Sequence, residues 1–176
     1  KRYPKELYDI LLKQSAQALK DVMATKNQGA ISGFTSILHT WGRQLQHHPH
    51  VHCIVPALAL LGETMVRPPK EGFLIHYRPL AAHFRTLFKM ALKAQHPDIY
   101  ETLTTEQKQV YLPAKQWNVQ LQHVGKGKTA LRYLAGYVCR SGFTNKRLIG
   151  YDKTGKNILL RWTPSGTKER KIMTLS

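Results

Sequence analysis

Four histidines lie within six consecutive positions, in the stretch "HHPHVH" at 47–52. Side chains two residues apart on a strand point to the same face, so His48, His50 and His52 are predicted to share one. Imidazoles spaced about 7 Å apart along a strand can converge on one divalent cation. A His-x-His pair alone is more often structural than metal-binding, but the apolar "CIV" that follows places this pair inside a strand. The pattern therefore predicts that His50 and His52 bind a metal.

A third ligand must come from another segment. If segments 30–41 and 48–56 form a hairpin, His39 lies directly opposite His50 and on the same face. A slip of one residue would turn His39 to the other face. His39 is the first choice for the third ligand, and the alternatives are His48, His123 and Gln46.

Two tyrosines, Tyr133 and Tyr137, are four residues apart in a predicted helix at 129–140 and therefore share one side of it. Such a pair is often no more than core packing. A phenol with a pKa near 10 is a weak nucleophile, but nearby cations and a divalent metal favour the phenolate. With the histidines, the pair predicts tyrosine attack on a DNA phosphate, which leaves a 5′-phosphotyrosyl link and a free 3′-OH.

The surroundings of the tyrosines carry charge of one sign. The whole chain has 27 Lys and Arg residues against 10 Asp and Glu residues, a net charge of +17 that points to nucleic acid as the partner. Segment 126–147 contains no acidic residue. Its six basic residues are the DNA-binding candidates: Lys126, Lys128, Arg132, Arg140, Lys146 and Arg147. Trp41, Trp117 and Trp162 either stack on bases or pack in the core, and core packing is favoured.

Composition limits the class of protein. A chain of 176 residues with 42% apolar residues can bury one core and is not disordered. No apolar run approaches the length of a membrane span, so no membrane partner is expected. Only two cysteines are present, at isolated positions, which argues against a disulfide scaffold or a Cys-rich zinc site and fits a reducing cytoplasm.

Hydrophobic periodicity predicts an α+β fold with largely antiparallel strands. Helices are predicted at 4–24, 78–95, 129–140 and, as a short one, within 104–112. Strands are predicted at 30–41, 48–56, 73–77 and 115–124, with a hairpin of 144–152 and 157–162 and a further strand at 171–175.

Longer strings around both motifs resemble one known family. His50-Val51-His52 resembles the histidine–hydrophobic–histidine (HUH) motif of rolling-circle nucleases, and "YLAGY" at 133–137 resembles their two-tyrosine motif. "LHTWGRQLQHHPHVHCIVP", "ALRYLAGYVCRSGFTNKRLI" and "RWTPSGTKERKIMTL" resemble rolling-circle transposases of the insertion sequence ninety-one type. The resemblance covers nearly the whole chain.

This resemblance implies a single HUH-type catalytic domain over 1–176: an antiparallel sheet flanked by helices, with a C-terminal β-hairpin. It implies Mg²⁺ or Mn²⁺ as cofactor, His50 and His52 as metal ligands, and Tyr133 and Tyr137 as nucleophiles. Single-stranded DNA at the element's ends and target would be the substrate, and the protein would be cytoplasmic and nucleoid-associated in a bacterium.

The family's N-terminal cysteine-rich zinc-binding region has no counterpart in the chain, so a catalytic core is expected. Two alternatives stay open. One is a plasmid replication initiator or relaxase with the same chemistry, and the other is a non-catalytic nucleic-acid-binding protein.

Overall fold

The computed structural model describes residues 4–26, 29–30, 32–42, 44–67, 74–138, 144–164 and 167–175, without the side chains of Pro4, Leu134, Tyr137 and Val138. The chain divides into two compact units, one of residues 1–38 and 51–126 and one of residues 39–50 and 127–176. The division passes through a β-hairpin whose two strands are hydrogen-bonded to each other. The prediction of a single catalytic domain stays a prediction.

Two long helices form the core of the first unit. Helix α1 (Pro4–Lys26) opens on a proline, which suits a first helical turn because it lacks an N–H group. It packs against α2 (Tyr77–Gln95). The buried side chains form two clusters: Ile10, Phe88, Ala91, Leu92, Ile99 and Tyr100 in one, and Ala18, Leu19, Met23, Ile75 and Leu80 in the other.

A polar contact also joins these helices, since Nε2 of His83 on α2 lies 2.7 Å from a carboxylate oxygen of Asp21 on α1. This hydrogen bond is the main reason that the pKa of Asp21 is lowered. Two short helices follow α2, namely α3 (Pro97–Glu101) and α4 (Thr105–Gln109).

Seven strands form three small sheets in the described part of the chain. Strands β1 (Thr35–Trp41) and β2 (His47–Ile54) pair with each other, and β3 (Ala59–Leu61) pairs antiparallel with β4 (Thr64–Val66). The third sheet has the antiparallel order β5 (Leu148–Tyr151), β6 (Ile158–Trp162), β7 (Lys171–Leu175). Helix α5 (Lys128–Val138) and a short 3-10 helix (Asn145–Arg147) precede it.

The α+β class, the small antiparallel sheets and the C-terminal hairpin are confirmed. The predicted strand at 73–77 is wrong in the described part of that segment, because residues 74–76 have no regular structure and Tyr77 begins α2. Leu74 and Ile75 are apolar because Ile75 is a buried member of the second cluster, called here the Leu19 cluster, and Leu74 packs against it.

The predicted strand at 115–124 is also wrong, since residues 116–125 belong to no helix or strand. Its alternating pattern has a different cause. Trp117 and Val119 pack on the two helical clusters while Asn118 and Gln120 face solvent. An extended segment lying on helices therefore shows the same period of two as a strand.

Three elements were not predicted: the β3–β4 hairpin, α3 and the 3-10 helix Asn145–Arg147, which occupies the start of the strand predicted at 144–152. The hairpin turns at Gly62, whose φ of 59° suits a two-residue connection between such short strands. Among the described residues, no helix is both long and apolar enough to span a membrane.

Candidate metal centre and nucleic-acid interface

The turn between β1 and β2 fixes how the two strands face each other. The N–H of Gly42 donates to the carbonyl of Gln46 over 2.9 Å, and the N–H of Leu45 donates to the carbonyl of Gly42 over 3.0 Å. Leu45 has a φ of 60°, a conformation uncommon for a leucine. Only a few residues connect the strands, which is too short for a parallel crossover, so the pair is antiparallel.

Gln46, an alternative metal ligand from the sequence, serves this turn. Its side-chain oxygen accepts a hydrogen bond from the backbone N–H of Gln44 over 2.9 Å. The same side chain covers Gly42 so closely that a Cβ on Gly42 would collide with it. The turn therefore selects glycine at 42, and it occupies the carbonyl oxygen through which Gln46 would bind a metal.

The hairpin has two chemically different faces. On one, the Ser36 hydroxyl and the Cys53 thiol lie 3.2 Å apart, and Cys53 packs on the Leu19 cluster. Burial there raises the pKa of the Cys53 thiol. This contact and the ring contact between His39 and His50 both fit one antiparallel register. His39 is three residues from Ser36 on β1, and His50 is three residues from Cys53 on β2. Since side chains alternate between faces along a strand, the histidines lie on the face opposite to Ser36 and Cys53.

On that second face, His39, His50 and His52 form a cluster in which one ring nitrogen from each lies within 4.8 Å of the others. The rings of His39 and His50 meet edge to face, with centroids 5.5 Å apart. His39 is buried, with 8% of its surface exposed, and the other two are half-buried. The structure thus brings together the three residues that the sequence put forward first.

Backbone chemistry sets the orientation of His50. Its Nδ1 lies 2.7 Å from the carbonyl oxygen of His48. A carbonyl oxygen can only accept, so Nδ1 carries the proton and, in the neutral ring, Nε2 carries the lone pair that a metal requires. A hydrogen bond of this kind to the second ring nitrogen is the usual way in which proteins orient a metal-binding histidine.

His39 is oriented by an aromatic neighbour that the sequence analysis did not assign to the site. Trp41 stacks on it, with ring centroids 5.1 Å apart and planes 14° from parallel. The sequence contained a signal for this contact, because His39 and Trp41 are two residues apart on one strand and therefore lie on the same face. The alternative ligands His48 and His123 are exposed and lie outside the cluster.

The donor set fits a divalent cation. Three imidazoles are common ligands of first-row divalent metals, and partial burial limits the competition from water. In the described part of the chain, the cluster includes no carboxylate or thiol.

The tyrosine motif lies on α5, in the same compact unit as residues 39–50. The Tyr133 side chain is half-buried, and the side chain of Tyr137 lies outside the described residues. At Gly136 a Cβ would meet no atom within 4 Å, so no close approach requires glycine there.

The six basic candidates differ in their surroundings. Lys126, Lys128, Arg132 and Lys146 are exposed, and Arg140 lies outside the described residues. Arg147 is half-buried, and its Nε donates to the carbonyl of Arg161 over 3.0 Å, which joins the 3-10 helix to β6. Arg147 therefore has a structural role in addition to its charge.

The three tryptophans also separate. Trp117 packs among Phe84, Phe88 and Tyr111, with centroid distances of 4.9 to 6.0 Å, and its indole N–H donates to the carbonyl of Val110. Trp117 therefore packs in the core, as the sequence analysis favoured for the tryptophans. Trp41 belongs to the histidine face, and Trp162 is half-buried on β6.

Comparison with known proteins gives a family. The model of the family Y2_Tnp, described as "Putative transposase", matches residues 33–176. The "Putative transposase y4qJ" of Sinorhizobium fredii is 29% identical over 97% of this chain and 46% of its own length. The "Transposase for insertion sequence element IS801" of Pseudomonas savastanoi pv. phaseolicola is 26% identical over 99% of this chain and 43% of its own length.

The chain thus spans less than half the length of both curated relatives. No solved structure matches it.

Proposed function

The chain belongs to the Y2_Tnp transposase family, and from this membership we propose that it nicks and rejoins single-stranded DNA during rolling-circle transposition. The substrate would be DNA at the ends of the element and at its target. The reaction would proceed through a covalent link between a tyrosine and a 5′-phosphate. The name of each relative supports transposition, and the chemistry is inferred from the residues of this chain.

The observation that carries the proposal is the cluster of His39, His50 and His52 on one face of the hairpin. A strand pair built only for packing has no need of three converging imidazoles beside an orienting carbonyl. When bound there, a divalent cation would polarise a phosphodiester oxygen and offset the charge that develops on it.

Of the two metals expected, we propose that Mn²⁺ binds more tightly than Mg²⁺. Imidazole nitrogen is a poor ligand for Mg²⁺, which prefers oxygen atoms and releases its water reluctantly. Nitrogen ligands are more acceptable to Mn²⁺ and to the later first-row metals.

We propose Tyr133 and Tyr137 as the nucleophiles. The phenolic oxygen of one tyrosine loses its proton and attacks the phosphorus atom. The bond from phosphorus to the 3′ oxygen breaks, and the released oxygen takes up a proton to become a 3′-OH. Attack of a 3′-OH on the phosphotyrosine reverses these steps and joins strands without any external energy source.

Basic side chains would hold the DNA backbone. We propose this role for Lys126, Lys128, Arg132, Arg140, Lys146 and Arg147. The exposed members of this set are available to phosphates, whereas Arg147 also holds the 3-10 helix to β6.

The test is a covalent-adduct assay. The protein is incubated with single-stranded oligonucleotides that tile the DNA flanking its gene, in Mn²⁺ or in EDTA, and then analysed under denaturing conditions. We expect an adduct that requires Mn²⁺ and that mass spectrometry maps to Tyr133 or Tyr137. Tyr133→Phe and Tyr137→Phe should each alter one of the cleavage and joining steps, and the double variant should form no adduct.

The result also separates the alternatives. A replication initiator or relaxase would form the same adduct on a plasmid origin but not on DNA flanking the gene. A non-catalytic binding protein would retain DNA in EDTA and form no adduct under any condition. An adduct that survives in the double tyrosine variant would refute the assignment of the nucleophiles.

A further inference from the structure

The three-stranded sheet β5–β7 carries an aromatic side chain, Tyr151, that is largely exposed to solvent. Tyr151 is 70% exposed, more than any other exposed large apolar residue that the structure describes. In the register of the sheet it lies opposite Ile158, which in turn lies opposite Leu175. Tyr151, Ile158 and Leu175 therefore lie side by side on three neighbouring strands, and Tyr151 is the member next to the β5–β6 turn.

The side chain of Tyr151 makes no hydrogen bond or ring contact with any residue that the structure describes. A tyrosine ring placed this way exposes most of its apolar area to water. Tyrosine is enriched at binding interfaces, where a partner covers its ring and its hydroxyl stays polar.

The turn next to Tyr151 holds its one carboxylate in hydrogen bonds. Asp152 Oδ1 accepts hydrogen bonds from the backbone N–H groups of Thr154, Lys156 and Asn157, and Oδ2 accepts from the Asn157 amide over 2.6 Å. The Asn157 amide, then the Thr154 hydroxyl, which donates to Oδ1 over 2.7 Å, and then the backbone N–H groups lower the pKa of Asp152 to about 2. The carboxylate is thus held by the turn, while the side chains of Lys153 and Lys156 are exposed.

The two lysines have no ion-pair partner among the described residues. The charge of the wider segment has the same sign. Residues 144–175 contain two acidic residues, Asp152 and Glu169, of which Glu169 lies 3.5 Å from Lys171. The basic residues of this segment are Lys146, Arg147, Lys153, Lys156, Arg161, Lys168, Arg170 and Lys171.

We propose that Tyr151, Lys153 and Lys156 form a binding site for single-stranded DNA, in which an unpaired base stacks on the Tyr151 ring and the two lysines contact the flanking phosphates. An exposed aromatic ring beside cations is the combination that single-stranded nucleic acids require. Duplex DNA hides the faces of its bases, so the ring favours a single strand. The site rests on the proposed function in so far as DNA is the substrate, but it lies on different residues from the reacting groups.

The first test measures affinity for a fluorescent thymidine oligonucleotide by anisotropy, in EDTA so that no cleavage occurs. Stacking of one base is worth about 1–3 kcal/mol, so Tyr151→Ala should raise the Kd by roughly 5- to 150-fold. Tyr151→Phe keeps the ring and should bind almost as well as the unaltered protein. Circular dichroism of both variants checks that the sheet is intact.

The second test separates the ring from the lysines through salt. Each phosphate contact contributes about 0.7 to the slope of log affinity against log salt for a single strand. The double variant Lys153→Gln, Lys156→Gln should therefore lower that slope by about 1.4, whereas Tyr151→Ala should lower affinity at an unchanged slope.

Unchanged affinity in a folded Tyr151→Ala variant would overturn this proposal. An equal loss of duplex binding in that variant would overturn the stacking role. Both results are independent of the adduct assay. If an adduct forms on Tyr133 but Tyr151→Ala leaves DNA affinity unchanged, only this site is refuted. If Tyr151→Ala lowers DNA affinity as expected but no adduct forms, only the nuclease mechanism is refuted.

Discussion

The β1–β2 hairpin and the β5–β7 sheet are both small antiparallel structures, but they differ in how far they expose the side chains proposed to be functional. In the hairpin, His39 is buried, the Nδ1 of His50 is held by a backbone carbonyl, and Trp41 stacks on His39. In the sheet, Tyr151 is 70% exposed, and Lys153 and Lys156 project from a turn.

The difference matches what the two proposed ligands, a metal ion and a DNA strand, would each demand. A metal ion needs nitrogen atoms at fixed distances, so its ligands are surrounded by groups that prevent rotation. A DNA strand is flexible and carries its charge at regular intervals, so exposed cations and a flat ring suffice. We therefore expect substitutions in the hairpin to change chemistry and those in the sheet to change affinity or stability.

The largest effect is expected from loss of a ring in the histidine cluster. His52→Ala should weaken Mn²⁺ binding by more than about 100-fold, since even residues behind the ligands contribute about 10- to 100-fold. DNA nicking should be abolished, whereas DNA affinity in EDTA should stay unchanged. Isothermal titration with Mn²⁺ and a nicking assay measure these effects.

His48→Ala is the matched control: it removes an exposed ring whose centroid lies 5.0 Å from that of His50, but it keeps the backbone carbonyl that orients His50. Near-normal nicking in His52→Ala would exclude the cluster from the mechanism. If His48→Ala impairs Mn²⁺ binding and nicking as much as His52→Ala does, the assignment of the ligands is wrong.

The next effect is on the stability of the sheet. Leu160 is fully buried on β6, between Leu148 and Met173 in the register. Leu160→Ala should lower the free energy of unfolding by about 2–5 kcal/mol. Urea denaturation measures the loss. Ile172→Ala, at a position that is 64% exposed on the neighbouring strand, should cost far less, and equal costs would show that the sheet has no buried side.

A smaller effect is expected at Trp41. Stacked aromatic pairs contribute about 0.5–1.5 kcal/mol, so Trp41→Ala should weaken Mn²⁺ binding by roughly two- to tenfold. Trp41→Phe should restore most of the affinity, because its ring can still stack on His39. Titration calorimetry shows the change without any need for catalysis. If the alanine and phenylalanine variants bind Mn²⁺ equally, stacking does not orient His39.

The smallest effect concerns the β5–β6 turn and acid. The folded pKa of Asp152 is about 2, below its ordinary value of 3.8, so its ionised form stabilises the turn at neutral pH. That contribution is lost as the pH falls from about 4 to about 2. Asp152→Ala should melt slightly lower than the unaltered protein near neutral pH, and the difference should vanish at the acid end. A constant difference across this range would show that the carboxylate is not responsible.

Local patterns predicted much of the fold. The leucines and alanines of α1 and α2 recur at helical spacing, and the structure has both helices. The "KTGK" turn predicted the hairpin of β5 and β6. The failures, at 73–77 and 115–124, are segments whose apolar side chains pack on helices while their backbone lacks a strand partner. Periodicity records which side chains are buried and does not record what buries them.

The candidate site divides in the same way. The order of His50, Val51 and His52 is written in the sequence, and so are the spacing of Tyr133 and Tyr137 and the excess of positive charge. These features need only the geometry of one strand or helix and the chemistry of its side chains.

The tertiary structure decided which residues from different segments of the chain meet at the site. It placed His39 rather than His48, His123 or Gln46 in the cluster, because strand pairing sets that neighbour and the turn occupies Gln46. It also separated Trp117, packed among core aromatic rings, from Trp41 on the histidine face. The sequence determined the kinds of chemistry available, and chain pairing determined which groups meet, because contact between distant residues is a property of the folded chain.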